Sequence, residues 1–218
     1  MFNWNNCIFY KEPFNYIVCD NFLQDYSDDL FPNTKWTEKY LSKRENEVTK
    51  GISAIHSLDI IEGKTKDLLE SILSQQFFDQ VCKLLKIPLL GETTNVRRSN
   101  GEYRIAREAM FVENYKTNEN ILEPHYDSEV TIWTGLLYFV DSQYGTFNIH
   151  DSNKDIVKTI NVKRNRLILT ENSNKSWHSV SQWLENYPRR SIYTTAEFKN
   201  FGRDKDRKPI GATETWIK

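Results

Sequence analysis

The sequence predicts an α+β protein that is mainly β: a double-stranded β-helix, or jelly roll, with supporting N-terminal helices. Three observations lead there. From residue 103 onward, short runs rich in β-branched and aromatic residues recur at regular spacing: "AMFVENY", "EVTIWTGLLYFVD", "YGTFNIHD", "IVKTINV", "NRLILT", "WHSVSQW" and "RRSIYTTAEF". Asn-, Ser- and Lys-rich turns separate them, the pattern of an antiparallel barrel or a double-sheet jelly roll. Upstream, residues 64 to 86 carry Leu68, Leu69, Ile72, Leu73, Phe77, Phe78, Val81, Leu84 and Leu85 at intervals of three and four, which lines one face of a helix. Hydrophobic residues at 39% and aromatics at 13% supply enough apolar surface for a packed β-containing domain.

In chain order, "NYIVCDNFL" reads as a strand leading into a short helical piece that ends before Pro32. The polar stretch 42 to 51 reads as a loop, and Pro88 stops the long helix. At 218 residues the chain is long enough for one well-buried core and short for two ordinary domains. It is read as a single domain, 1–218: a mixed helical support over 1–102, the jelly-roll core over 103–200 and a polar surface tail over 201–218, from which Trp216 docks back.

Charge excludes several functions. Lys+Arg 29 against Asp+Glu 30 leaves none of the basic excess that nucleic-acid backbones or anionic membranes demand, so no nucleic-acid partner is expected. No window approaches a membrane span, and the first residues lack a basic segment followed by an apolar run, so no membrane is expected and the location is read as cytoplasmic. Cys7, Cys19 and Cys82 are odd in number without CxxC spacing and are read as reduced structural thiols.

The chemistry concentrates in "LEPHYDSEVT", where His125 and Asp127 stand two apart. If residues 124 to 131 are extended, the period of two puts both side chains on one face, where imidazole and carboxylate can converge on one ion while Tyr126 faces away. A third ligand is offered by His178 in "NKSWHSVSQW". Two histidines and one carboxylate on one face of an octahedron, with the other positions open, suit non-haem Fe(II) and oxygen chemistry. Shortly after His178 comes "PRRSIYTTAEF". An arginine fork can clamp a carboxylate bidentately with a charge that does not titrate away. Arg189 and Ser191 share a strand face; if Ser191 faces the interior, Arg189 is the interior arginine and Arg190 a solvated or substrate-side charge.

His125-Tyr126-Asp127, His178-Ser179-Val180 and Arg189-Arg190-Ser191, in that order, resemble the H-x-D…H-x-V…R-x-S pattern of the Fe(II)/2-oxoglutarate-dependent oxygenases. The early "EPFNYIVCDNFL" is similar to the entry of the prolyl-4-hydroxylase-like branch, and the likeness covers most of residues 12 to 198. The resemblance implies a dioxygenase that uses Fe(II), 2-oxoglutarate and O2, with ascorbate a candidate reductant, to hydroxylate an unactivated C–H bond and release succinate and CO2. It implies His125, Asp127 and His178 as metal ligands, Arg189 with Ser191 at the far carboxylate of 2-oxoglutarate, and Tyr115 near the cosubstrate. A second tyrosine position falls on Tyr138 or Phe139, and the register chosen here puts Phe139 there. The implied partner is a protein or peptide substrate, a prolyl residue above all, or a small molecule such as an amino acid or sugar.

Alternatives are a cupin-like metal-binding protein and a carbohydrate-binding jelly roll, neither of which needs Arg189. A halogenase is disfavoured because Asp127 fills the position halide would need. His56 is read as packed, His150 as a turn histidine, and Trp177 and Trp183 as core. The stretch 96 to 104, "VRRSNGEYR", is read as a charged loop placed to border the pocket mouth.

Overall fold

The computed structural model describes residues 1–32, 52–55, 61–87, 96–98 and 101–200. His56, the loop at 42 to 51, Pro88 and the tail with Trp216 lie outside the described residues.

Two antiparallel sheets make the jelly roll. The strands are β1 (Cys7–Tyr10), β2 (Tyr16–Cys19), β3 (Ile52–Ile55), β4 (Val96–Arg98), β5 (Gly101–Asn114), β6 (Leu122–His125), β7 (Thr131–Tyr138), β8 (Ser142–His150), β9 (Ile156–Val162), β10 (Leu167–Glu171), β11 (His178–Val180) and β12 (Arg189–Asn200). The major sheet has eight strands in the order β1-β2-β10-β7-β12-β5-β3, with β4 paired to β5; the minor sheet is β6-β11-β8-β9. The expected mainly-β architecture is therefore present. Within the stretch 96 to 104, read as a loop, the described residues are strands instead: β4 lies antiparallel on the first residues of β5, Val96 opposite Tyr103.

Two helices, α1 (Gly63–Ile72) and α2 (Gln75–Leu85), stand where one was expected. The reason is Ser74. Its Oγ accepts from the Phe77 backbone N–H at 3.1 Å and caps a new helix, an alternative that serine offers the backbone at such points. The apolar face survives the break, since Leu68, Leu69 and Ile72 of α1 and Phe77, Phe78, Val81, Cys82 and Leu85 of α2 are all buried. Lys86, at φ 57°, ends α2 in the left-handed conformation.

The period of two then sorts side chains into two cores. On the outer face of the major sheet, Trp133 and Leu137 of β7, Phe111 of β5 and Ile192 of β12 pack with the helical Phe77 and Phe78. Between the sheets, Tyr16, Leu136, Tyr138 and Ile168 meet Phe147, Ile149, Val180 and Trp183. Covered on both faces, β7 is buried along its whole length, whereas the edge strand β9 buries only Ile160 and Val162. No helix among the described residues is long and apolar enough to cross a membrane.

The cysteine expectation is corrected in part. Cys7 and Cys19 are not reduced thiols: they face each other across β1 and β2 and are joined in a disulfide, while Cys82 is free and buried. The N-terminal segment is also pinned by Asn165 in the β9–β10 turn. Its Oδ1 accepts from Leu23 N–H at 2.7 Å and its Nδ2 donates to Leu23 O at 2.9 Å, so one buried amide stands in for a strand partner. Asn165→Ala is expected to lower unfolding free energy by about 1 to 3 kcal/mol, because it leaves a buried donor and acceptor unsatisfied. Equilibrium urea denaturation measures it, and an unchanged midpoint would show that the amide pair contributes nothing.

Candidate metal and cosubstrate site

His125 and His178 sit directly opposite each other in the minor sheet, at the end of β6 and the start of β11. Their ring centroids are 4.4 Å apart. Asp127 lies just past β6, which ends at His125, so the expectation of a strand running on to residue 131 is corrected. The carboxylate reaches the histidines from a connecting segment, and Asp127 Oδ1 is 3.9 Å from His125 Nε2. One candidate ligand atom from each of His125, Asp127 and His178 falls within 4.8 Å of the others.

Neighbouring groups fix how these side chains present themselves. His125 Nδ1–H donates to Glu123 O at 2.7 Å, and His178 Nδ1–H donates to Ser176 O at 2.9 Å. Each bond sets the tautomer and leaves the Nε2 lone pair free, as ligating histidines need. Burial drives the basicity of His178 below the ordinary histidine value, against the pull of Asp127, so the ring is neutral at pH 7. Phe147 stacks on it at 5.1 Å. Asp127 Oδ2 accepts from Thr134 Oγ1 of β7 at 2.6 Å, which ties the carboxylate to the major sheet.

On the inner face of the major sheet lies Arg189, only 3% exposed. Its Nη1 donates to Asn114 Oδ1 at 2.7 Å and its Nη2 to the Tyr138 hydroxyl at 2.9 Å. Both partners are neutral, and among the described residues Arg189 makes no ion pair. Arg189 Nε and the neighbouring Ser191 Oγ are buried without hydrogen-bond partners. Gly145 of β8, at φ 62°, brings backbone against the arginine stem; a Cβ there would lie 2.6 Å from Trp183 Cε3 and 2.9 Å from Arg189 Cδ.

The remaining candidates fall elsewhere. Tyr115 follows β5, is 37% exposed, and donates its hydroxyl to Glu113 Oε2 at 2.8 Å, on the face of the sheet away from Arg189. The side chain that bonds Arg189 from this strand is that of Asn114, one residue earlier. The choice of Phe139 is corrected: Phe139 packs outward among Phe31 and Phe111, and Tyr138 supplies the inward hydroxyl. Arg190 is not a solvated charge. It points outward, donates from Nε to Glu113 Oε1 at 2.8 Å and lies over the Phe31 ring. His150 is a buried strand-end histidine whose Nδ1–H donates to Lys154 O and whose Nε2 accepts from Ser179 Oγ, each at 2.8 Å, so neither nitrogen is left for a metal. Trp183 is core as expected; Trp177 packs edge-on against Tyr126 with Lys154 over its ring.

The donor set fits a divalent iron: two imidazoles and one carboxylate offer ligand atoms that lie within 4.8 Å of one another. The buried donors at Arg189 and Ser191 fit an anionic group beside it.

The fold is similar to that of a prolyl hydroxylase from Trichoplax adhaerens solved with a peptide fragment of the hypoxia inducible factor oxygen degradation domain, at TM-score 0.56 and 15% identity over 84% of this chain and 83% of that one. It is similar to a prolyl-4-hydroxylase from Pseudomonas putida at TM-score 0.55 and 13% identity, over 84% and 91%. A dioxygenase for auxin oxidation from Arabidopsis thaliana, in its binary complex with 2-oxoglutarate, matches at TM-score 0.52 and 14% identity, over 78% and 75%. No protein-family model and no curated protein matches the chain. The chain thus has the fold shared by these two prolyl hydroxylases and the dioxygenase.

Two outcomes follow for variants at this site. Replacing His125, Asp127 or His178 by Ala is expected to abolish binding of one equivalent of Fe(II) under anaerobic calorimetry, with the fold retained; unchanged binding in His178→Ala would exclude the triad. Arg190→Met is expected to cost about 3 kcal/mol of stability in denaturant melts, since it takes the cation from the fully buried Glu113 and leaves the Tyr115 hydroxyl as a neutral partner. A cost near zero would show that Glu113 is held by its other partners.

Proposed function

We propose that the protein is an Fe(II)- and 2-oxoglutarate-dependent dioxygenase that hydroxylates an unactivated C–H bond. When bound, the iron and its cosubstrate supply the oxidising chemistry: 2-oxoglutarate is decarboxylated to succinate and CO2 as O2 delivers hydroxyl to the substrate. The chain's own residues then have definite tasks. His125 and His178 present Nε2, and Asp127 presents Oδ1, to one ion. Arg189 Nε, Ser191 Oγ and the Tyr138 hydroxyl converge as donors for the far carboxylate. Leu136, Phe147 and Trp183 keep water away from that end and so strengthen the contact.

The buried guanidinium carries this reading. A cation taken out of water without an anion is expensive, and Arg189 has only neutral groups against it. A dicarboxylate cosubstrate supplies the missing charge. A plain metal-binding cupin or a sugar-binding jelly roll gives no reason for such a residue.

For the substrate we propose a prolyl residue of a protein or peptide. Its support is the similarity in fold to two prolyl hydroxylases, one of them solved with a peptide. The Arabidopsis dioxygenase, named for auxin oxidation, supports a small metabolite as the second reading.

The deciding experiment titrates 2-oxoglutarate into Fe(II)-loaded, oxygen-free protein. Arg189→Met is expected to weaken binding by about 2 to 4 kcal/mol, or about 30- to 1000-fold, while iron still binds. Arg189→Lys recovers only part, because an ammonium keeps the charge without the fork. Native affinity in Arg189→Met, or no 2-oxoglutarate uptake by the native protein, would remove the assignment. Succinate release above the uncoupled rate, screened with prolyl peptides and with free amino acids and sugars, then separates the two substrate classes.

A further inference from the structure

β12 turns one more polar group inward beyond the proposed cosubstrate pocket. Beyond Arg189 and Ser191 on the same face comes Tyr193, packed at the edge of the core between the sheets. In the register of β12 on β7, Tyr193 stands opposite Leu136, and Thr134 stands opposite Thr195. Thr134 is thus the diagonal neighbour of Tyr193 on one face, within reach of an aromatic side chain. Thr134 has already spent its hydroxyl hydrogen on Asp127 Oδ2, at 2.6 Å, and keeps lone pairs to accept another donor. Burial first, and then the charge of Asp127, push the Tyr193 phenol above its ordinary pKa. The phenol therefore keeps its proton and remains a donor at neutral pH.

We propose that Tyr193 is a positioning residue whose phenol donates to Thr134 Oγ1, so that a relay of two hydroxyls holds Asp127 Oδ2 and presents Oδ1 alone to the metal. Hydrogen bonds in series polarise one another, so the outer hydroxyl strengthens the inner one. Held at Oδ2, the carboxylate binds through one oxygen rather than two, which keeps a coordination position open. The inference rests on the reading of His125, Asp127 and His178 as a metal centre.

The test titrates Co(II), as a spectroscopic stand-in for Fe(II), into metal-free full-length protein and follows its ligand-field absorption. Thr134→Val is expected to lower affinity about 10- to 100-fold, the usual effect of removing a group that orients a ligand. Its bands should weaken, as a carboxylate free to chelate through both oxygens raises the coordination number. Tyr193→Phe is expected to lower affinity about 3- to 10-fold, the net worth of one hydrogen bond, with a shift of the spectrum in the same direction. In the double variant the two losses should not add, since Tyr193 acts only through Thr134.

Native affinity and spectrum in Tyr193→Phe would overturn the relay, and so would losses that sum in the double variant. Should Tyr193→Phe also lower the metal-free melting temperature, Thr134→Ser decides: it keeps the hydroxyl without the methyl, so native affinity there supports the relay and a loss equal to that of Thr134→Val overturns it. A native protein that takes up no Co(II) would instead bring down the metal-centre reading, and this inference with it.

Discussion

Burying the Arg189 guanidinium constrains everything around it. Its charge cannot be neutralised by losing a proton, and water does not reach it, so neighbouring strands must supply acceptors at fixed positions. Asn114 does so from β5, directly opposite in register, and Tyr138 from β7 on the other side. That arrangement works only if β12 lies between β5 and β7 with Arg189 turned inward, and the same choice turns Arg190 outward to Glu113. Two adjacent arginines therefore serve opposite faces of one sheet. On the facing sheet, Gly145 has no Cβ because the arginine stem and Trp183 occupy that volume.

Much of this was legible in the sequence because a strand has a period of two. Arg189 and Ser191 share a face for that reason alone, and His125 and His178 were recognisable as a pair once ordered against them. Residues whose role depends on where a strand stops were harder. Asp127 lies beyond the end of β6 and Tyr115 beyond the end of β5, where alternation no longer governs direction. Asn114, the last residue of β5, bonds Arg189, and nothing in its sequence context marks it for that. Tyr138 and Phe139 are adjacent, so a shift of one position exchanges the pocket for the helical core. Only cross-strand pairing with Ser191 fixes that register, and a sequence does not state pairing.

Two further misreadings have similar causes. The helix over residues 64 to 86 keeps its apolar spacing across the break at Ser74, so periodicity alone cannot see the cap. The Cys7–Cys19 disulfide needs β1, which was not recognised as a strand. The signal was there: the two cysteines are equidistant from Pro13, the middle of the turn that folds β1 onto β2, so a hairpin centred on Pro13 puts them opposite each other.

The placement of the three ligating side chains has a mechanical consequence. Both histidines belong to the minor sheet, while Asp127 is fastened through Thr134 to the major one. An ion bound by all three bridges the two layers near their open edge, much as a rivet joins two plates. Without it, the layers are held there by the Thr134–Asp127 hydrogen bond and by Phe147, Leu136 and their apolar neighbours. Occupancy and cohesion of the sandwich then draw on one free energy, so that the tighter the ion is held, the more concentrated denaturant it takes to part the sheets.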